Sequence, residues 1–80
     1  MLSRKNIYLL IDSERHRQLK LHGDKTPSNP AMSGEYKLML MMEEVGECAR
    51  AIQSGDNANL RDELIQVVAL GVAYLESMGI

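Results

Sequence analysis

The chain contains no phenylalanine and no tryptophan, and its only aromatic residues are three tyrosines. The rings that most often anchor a small core are missing. An 80-residue chain without them buries little on its own, and chains of this size are marginal alone. A partner subunit, most simply a second copy, is the expected remedy. There is one cysteine, Cys48, which excludes an internal disulfide and any multi-cysteine zinc site and fits a reducing cytoplasm. No apolar run approaches the roughly 20 residues a bilayer requires. The opening Met1-Leu2-Ser3-Arg4-Lys5 has no apolar stretch before a small-residue cleavage site, so neither a membrane span nor a signal peptide is expected. Neither sign of charge dominates: 9 Lys+Arg stand against 11 Asp+Glu, for a net charge of −2. The basic footprint of a nucleic-acid binder is absent. What is present is the balance of a globular protein, 45% hydrophobic and 25% charged, expected as one small domain over residues 1–80.

Proline is scarce and concentrated. Both prolines, Pro27 and Pro30, fall between Gly23 and Met32 among Asp24, Thr26, Ser28 and Asn29. That segment can be neither helix nor central strand, and it divides the chain. Before it, residues 3–21 read as a helix capped by Ser3. Ile7, Leu10, Ile11, Leu19 and Leu21 give a partial apolar face, the second half is polar, and Gly23 is a left-handed terminator. After it, Ser33 caps a helix over residues 33–54. There Leu38, Met41, Met42, Val45, Cys48, Ala49 and Ile52 recur at spacings of three and four. Gly55-Asp56-Asn57 reads as a turn. A third helix is expected over residues 59–78, capped by Asn59, with Asp62 and Glu63 in its first turn and Gly79 at its end. Its stripe is Leu60, Leu64, Val67, Val68, Gly71, Leu75 and Met78. The fold class is therefore all-α: a three-helix protomer with an antiparallel helical hairpin, whose leftover apolar faces complete a four-helix core by oligomerisation.

The carboxylates of the hairpin are out of place for a core helix. Glu44 and Glu47 are one turn apart and repel. Only Arg50 is basic among their neighbours at three and four residues, and Leu40, Met41, Cys48 and Ala51 border them. Glu63 and Gln66 share a side of the third helix with Val67 and Leu70. If the two helices pack antiparallel, Glu44, Glu47, Glu63 and the Gln66 amide can surround one point. All four offer hard oxygen donors, with no histidine at ligand spacing, which suits Mg²⁺ or Mn²⁺ and suits zinc or copper poorly.

Glu44-x-x-Glu47, fifteen residues, then Glu63-x-x-Gln66 resembles the ExxE…ExxD signature of the MazG-like all-α nucleoside triphosphate pyrophosphohydrolases. The words Glu43-Glu44-Val45-Gly46-Glu47-Cys48-Ala49-Arg50 and Asp62-Glu63-Leu64-Ile65-Gln66-Val67 are similar to family segments, as is Glu14-Arg15-x-Arg17-Gln18-x-Lys20-x-x-Gly23. The resemblance spans roughly Glu14 to Glu76. It implies a helical core assembled as a dimer or tetramer, with acidic residues holding Mg²⁺ (or Mn²⁺) against the triphosphate of a nucleotide. Water attacks between the α- and β-phosphates and releases a nucleoside monophosphate and pyrophosphate. Carried over by position, Glu44, Glu47, Glu63 and Gln66 are the metal ligands. Glu43 and Glu44 are the catalytic carboxylates, with Glu43 orienting water or supporting the ligands from outside. Arg17, Lys20 and Lys25 are the candidate phosphate contacts. The departure is Gln66, where the family carries Asp: an amide oxygen ligates but brings no charge.

Plainer readings stand beside these. The glutamates can be a solvated acidic face. Asp62 reads as a dipole and capping residue, and His16 and His22 as surface residues. Neither histidine makes a Glu-x-x-His pair, which counts against a di-iron bundle. Cys48 reads as a small buried apolar residue, and Met39, Met41 and Met42 as adaptable core or subunit interface. Three functions follow: the metal-dependent hydrolase, a catalytically idle relative that binds metal or nucleotide, and a helical interaction module. No nucleic-acid polymer and no membrane is expected as a partner.

Overall fold

A computed structural model describes residues 1–79. Three helices account for most of them: α1 (Arg4–His22), α2 (Gly34–Ser54) and α3 (Asn57–Met78), with a short 3-10 turn, Gly23–Lys25, after α1 and no strand among the described residues. The all-α expectation holds. Ser3 caps α1 by accepting the Asn6 N–H at 3.1 Å, and Ser33 caps α2 by accepting the Tyr36 N–H at 3.1 Å. Gly23 does take a positive φ (55°), but its ψ of −119° lies outside the left-handed helical well and leads into the 3-10 turn.

The hairpin turn is tighter than expected. Gly55 sits in the left-handed region (φ 72°, ψ 19°). Its N–H donates to Ile52 O and the Asp56 N–H to Ala51 O, both at 3.1 Å, so the paired bonds of a Schellman motif close α2. Asp56, not Asn59, then caps α3, its Oδ1 accepting the Asn59 N–H at 3.0 Å. The helix starts two residues earlier than the sequence suggested, because a carboxylate caps as well as an amide and stood nearer the turn. Asp62 and Glu63 consequently lie beyond the first turn, where the helix dipole no longer explains them.

α3 is the middle element: α1 and α2 both pack on it, and their backbones do not approach each other. The buried apolar residues of the helices are small, namely Cys48, Ala51, Ala69 and Ala73. Small side chains let the α2 and α3 backbones come close, and Gly34 has the same effect, since a Cβ there would meet Tyr74 Oη at 2.9 Å. The interior is also more polar than expected. On α1 the buried residues are Arg15 and Gln18, while Leu19 and Leu21 face outward. Arg15 Nε donates to Glu76 Oε1 at 2.9 Å and its Nη1 to Gln18 Oε1 at 3.0 Å. A charge-assisted bond thus ties α1 to the end of α3. Lys37 is buried as well; its Nζ donates to Ser77 Oγ at 2.6 Å and lies 5.0 Å from the centre of the Tyr74 ring, which compensates its lost hydration.

The apolar stripes exist, but this chain alone leaves them uncovered. Leu38, Met42, Val45, Ala49 and Ile52 on α2, and Leu64, Val68, Leu75 and Met78 on α3, are exposed, Ile52 by 64% and Leu75 by 66%. The α2 set follows the four-three spacing of a helix-packing seam, and the α3 set does so with Gly71 between Val68 and Leu75. The Cα radius of gyration, 12.9 Å, exceeds the roughly 11.6 Å of a compact chain this long. Among the described residues no helix is long and apolar enough to cross a membrane.

Candidate functional site

A cavity of about 350 Å³ opens where α1, the Pro-containing loop, α2 and α3 meet. Its position follows from the fold: α1 and α2 are held apart by α3, and the loop crosses the gap. The loop is ordered by its own polar groups, with Thr26 Oγ1 and Ser28 Oγ bonded at 2.7 Å, Asn29 Nδ2 donating to Asp24 O at 2.9 Å and Ala31 N–H donating to Asn29 Oδ1 at 3.0 Å. Thr26 and Pro27 are buried and form part of the cavity wall. Glu14, Arg17 and Gln18 enter from α1, Lys25 from the loop, Glu43 and Glu44 from α2 and Gln66 from α3.

Glu44 is the electrostatic centre. It is half-buried, and its carboxyl lies within hydrogen-bonding reach of Glu63. Burial raises Glu44 from 4.5 to about 7; the facing Glu63 carboxyl adds to this, with smaller pushes from Glu47 and Glu14. Glu44 Oε2 and Glu63 Oε2 are each sealed from solvent with no hydrogen-bond partner. Two ionised carboxylates are both acceptors, so neither can satisfy the other. A shared proton satisfies them, and so does a cation. Burial also pushes the Cys48 thiol up, helped by Glu63 and Glu44, which makes it a poor nucleophile.

The structure therefore brings together Glu44 and Glu63, and gives Glu43, Glu44 and Gln66 a common cavity with Arg17 and Lys25. It does not bring Lys20 there; that side chain is exposed on α1. Glu47 is one turn beyond Glu44 with its carboxylate engaged by Arg50. Among the described residues no three His, Cys, Asp or Glu side chains converge in a geometry that would hold a metal ion. The orphaned oxygens of Glu44 and Glu63 are nonetheless of the hard donor type that a divalent cation such as Mg²⁺ takes.

Glu14, Gln18, Thr26 and Tyr36 also line the cavity and are not among the candidates the motifs single out. Glu14 and Gln18 had a signal, the three- and four-residue spacing to each other and to Arg17 on one helix side. Thr26 and Tyr36 had none, since their place depends on how the loop folds back.

The sequence profile of the MazG nucleotide pyrophosphohydrolase domain matches residues 33–78. The match takes in all of α2 and α3, more than half of the chain, and the chain belongs to this family. The family acts on nucleotides and is generally dependent on divalent cations. No curated protein and no solved structure matches the chain.

Proposed function

We propose that this protein is a Mg²⁺- or Mn²⁺-dependent nucleoside triphosphate pyrophosphohydrolase, acting as one MazG-like domain. The observation that carries the reading is the pair of buried, orphaned oxygens of Glu44 and Glu63 beside a cavity that also receives Arg17 and Lys25. Carboxylates repel phosphate and guanidinium attracts it, so a cavity with both suits a cation–polyphosphate ligand. Glu44, Glu63, Glu47 and the Gln66 amide are the residues that would hold the ion. Bound there, the ion would neutralise phosphate charge and acidify water. Glu43, exposed at the cavity, would take a proton from the attacking water. Arg17 and Lys25 would orient the phosphates, and the loop at Thr26 and Pro27 would limit access of bulk water. Water adds at the α-phosphorus, the bond to the bridging oxygen breaks, and the products are a nucleoside monophosphate and pyrophosphate.

The uncovered seams of α2 and α3 support a second part of the reading, a homodimer or homotetramer. The chain exposes 5738 Å², against about 4,850 Å² for a monomer of this mass. The excess, about 900 Å², is close to the roughly 800 Å² each partner contributes to a stable interface. Both seams lie on the sides of their helices turned away from the cavity, so pairing through them leaves it open.

The test is a panel of canonical and noncanonical nucleoside triphosphates with Mg²⁺ or Mn²⁺, read by pyrophosphate release, with Glu47→Ala as control and light scattering for the oligomer. Pyrophosphate and matching monophosphate, absent in the control, are expected. Silence across the panel overturns the hydrolase reading. Gln66 favours the idle relative as the second reading, since an uncharged ligand weakens the site. A Gln66→Asp variant that gained turnover would then identify the cause.

A further inference from the structure

We propose that Glu14 is a positioning residue that fixes Arg17 to receive the polyphosphate, an inference that rests on the cavity being the nucleotide site. Glu14 lies outside the segment that matches the family, and no role above uses it. Its side chain is only 11% exposed, whereas that of Arg17 is 51% exposed. An ordinary pair three residues apart on a helix has both members in water and holds neither firmly. Here the carboxylate is the fixed member. Glu14 Oε1 accepts Arg17 Nε and Oε2 accepts Arg17 Nη2, both at 2.8 Å. Gln18 Nε2 donates to the same Oε2 at 3.2 Å and anchors Glu14 from the buried side. The two parallel bonds fix the plane of the guanidinium.

The geometry also determines what is left over. A guanidinium has two edges that can each grip an oxyanion with two N–H groups. Glu14 occupies the Nε/Nη2 edge. Among the described residues Nη1 has no hydrogen-bond partner, so the Nη1/Nη2 edge of this cavity-lining residue is unoccupied. Arg17 also feels the charge of Glu44, after the stronger effect of Glu14 itself, so the free edge lies within electrostatic reach of the carboxylate centre. Glu14 thus spends its negative charge on Arg17 and offers a rigid, half-satisfied cation to phosphate oxygens.

Two accounts of Glu14 predict opposite signs. If it acts only as an acidic wall of the cavity, removing its charge weakens repulsion and tightens polyphosphate binding. If it positions Arg17, Glu14→Gln breaks the fork, because an amide presents one acceptor and one donor. KM then rises about tenfold, the scale of one charge-assisted bond, while kcat stays within about threefold. The probe besides turnover is inorganic tripolyphosphate with Mg²⁺, titrated by calorimetry. Its affinity should fall in parallel with the rise in KM. Arg17→Lys should give the same loss, and the double variant no further loss, since the two residues act as one unit. Should Glu14→Gln fail to fold, Arg17→Lys, on an exposed residue, carries the test through the same calorimetric readout. A Glu14→Gln protein that folds and binds tripolyphosphate as tightly as wild type, or more tightly, overturns the proposal while wild-type turnover stands. So does an Arg17→Lys protein with unchanged affinity. Wild-type protein that neither hydrolyses any nucleotide nor binds tripolyphosphate overturns this proposal and the function together.

Discussion

Raising the pH should destabilise the metal-free protein, and Glu44→Gln should remove that effect. Burial and the facing Glu63 carboxyl lift Glu44 from 4.5 to about 7 in the folded chain. The folded value lies above the unfolded one, so the protonated form is the one that stabilises the fold. That contribution is complete below about pH 4.5 and is lost as pH rises through about 7. A tenfold change per pH unit over this interval sets an upper bound of about 3 kcal/mol. Although Glu44 Oε2 is sealed, the side chain as a whole is only half-buried, so solvent screening reduces this to about 1–2 kcal/mol. In an 80-residue chain each kcal/mol moves the melting temperature by about 4–8 °C. The assay is thermal melting by circular dichroism in chelator from pH 5 to 8.5. Wild type should lose about 5–10 °C across that range. Glu44→Gln, whose amide can donate to Glu63, should melt near wild type at pH 5 and above it at pH 8.5. Millimolar Mg²⁺ should restore wild type at high pH and do little at low pH, because the proton and the cation compete for the same oxygens. A flat metal-free profile, or the same slope in Glu44→Gln, would refute the account of the carboxylate pair.

Other perturbations address the scaffold. Asp56→Ala should cost about 1 kcal/mol in urea unfolding and Asn59→Ala much less, since Asp56 makes the capping bond. Gly34→Ala should destabilise by about 1 kcal/mol through contact with Tyr74 Oη, and in a Tyr74→Phe background that penalty should vanish. Arg15→Ala should cost about 2–3 kcal/mol, because it leaves a void and removes the bond to Glu76; a change under about 0.5 kcal/mol would show that α1 is held by other means.

The sequence exposed the helices well because each carries its own end signals. Ser3, Ser33, Gly55 and Gly79 act locally, and the Pro27–Pro30 segment forbids continuation whatever surrounds it. The α3 start was misplaced because Asp56 and Asn59 are both competent caps, and the choice between them depends on how α2 ends. Periodicity identified which side of α2 is apolar but not whether this chain covers it. Cys48 and Ala51 are buried, while Ile52, equally apolar, is exposed. On α1 the pattern pointed outward, since Arg15 and Gln18 occupy interior positions bonded to each other, and Arg15 also bonds Glu76 across sixty-one residues; no local rule encodes such a partner. For the candidate site, Glu44, Glu63 and Gln66 were legible from spacing on two helices joined by a short turn. The wall supplied by Glu14, Thr26 and Tyr36 was not, because it is built by the loop's return path.

That α1 and α2 both rest on α3 with their backbones held apart has a consequence for when the molecule opens. Lifting α1 away breaks the Arg15–Glu76 bond and the α1–α3 packing but need not disturb the hairpin. Amide hydrogens of α1 should therefore exchange through a smaller fluctuation than those of α2 and α3. A ligand lodged in the cavity, touching α1 and α2 at once, would tie together two helices whose backbones stand apart. It would slow exchange along α1 more than along α2 and α3, so that occupancy is written in the motion of the helix that the family profile does not reach.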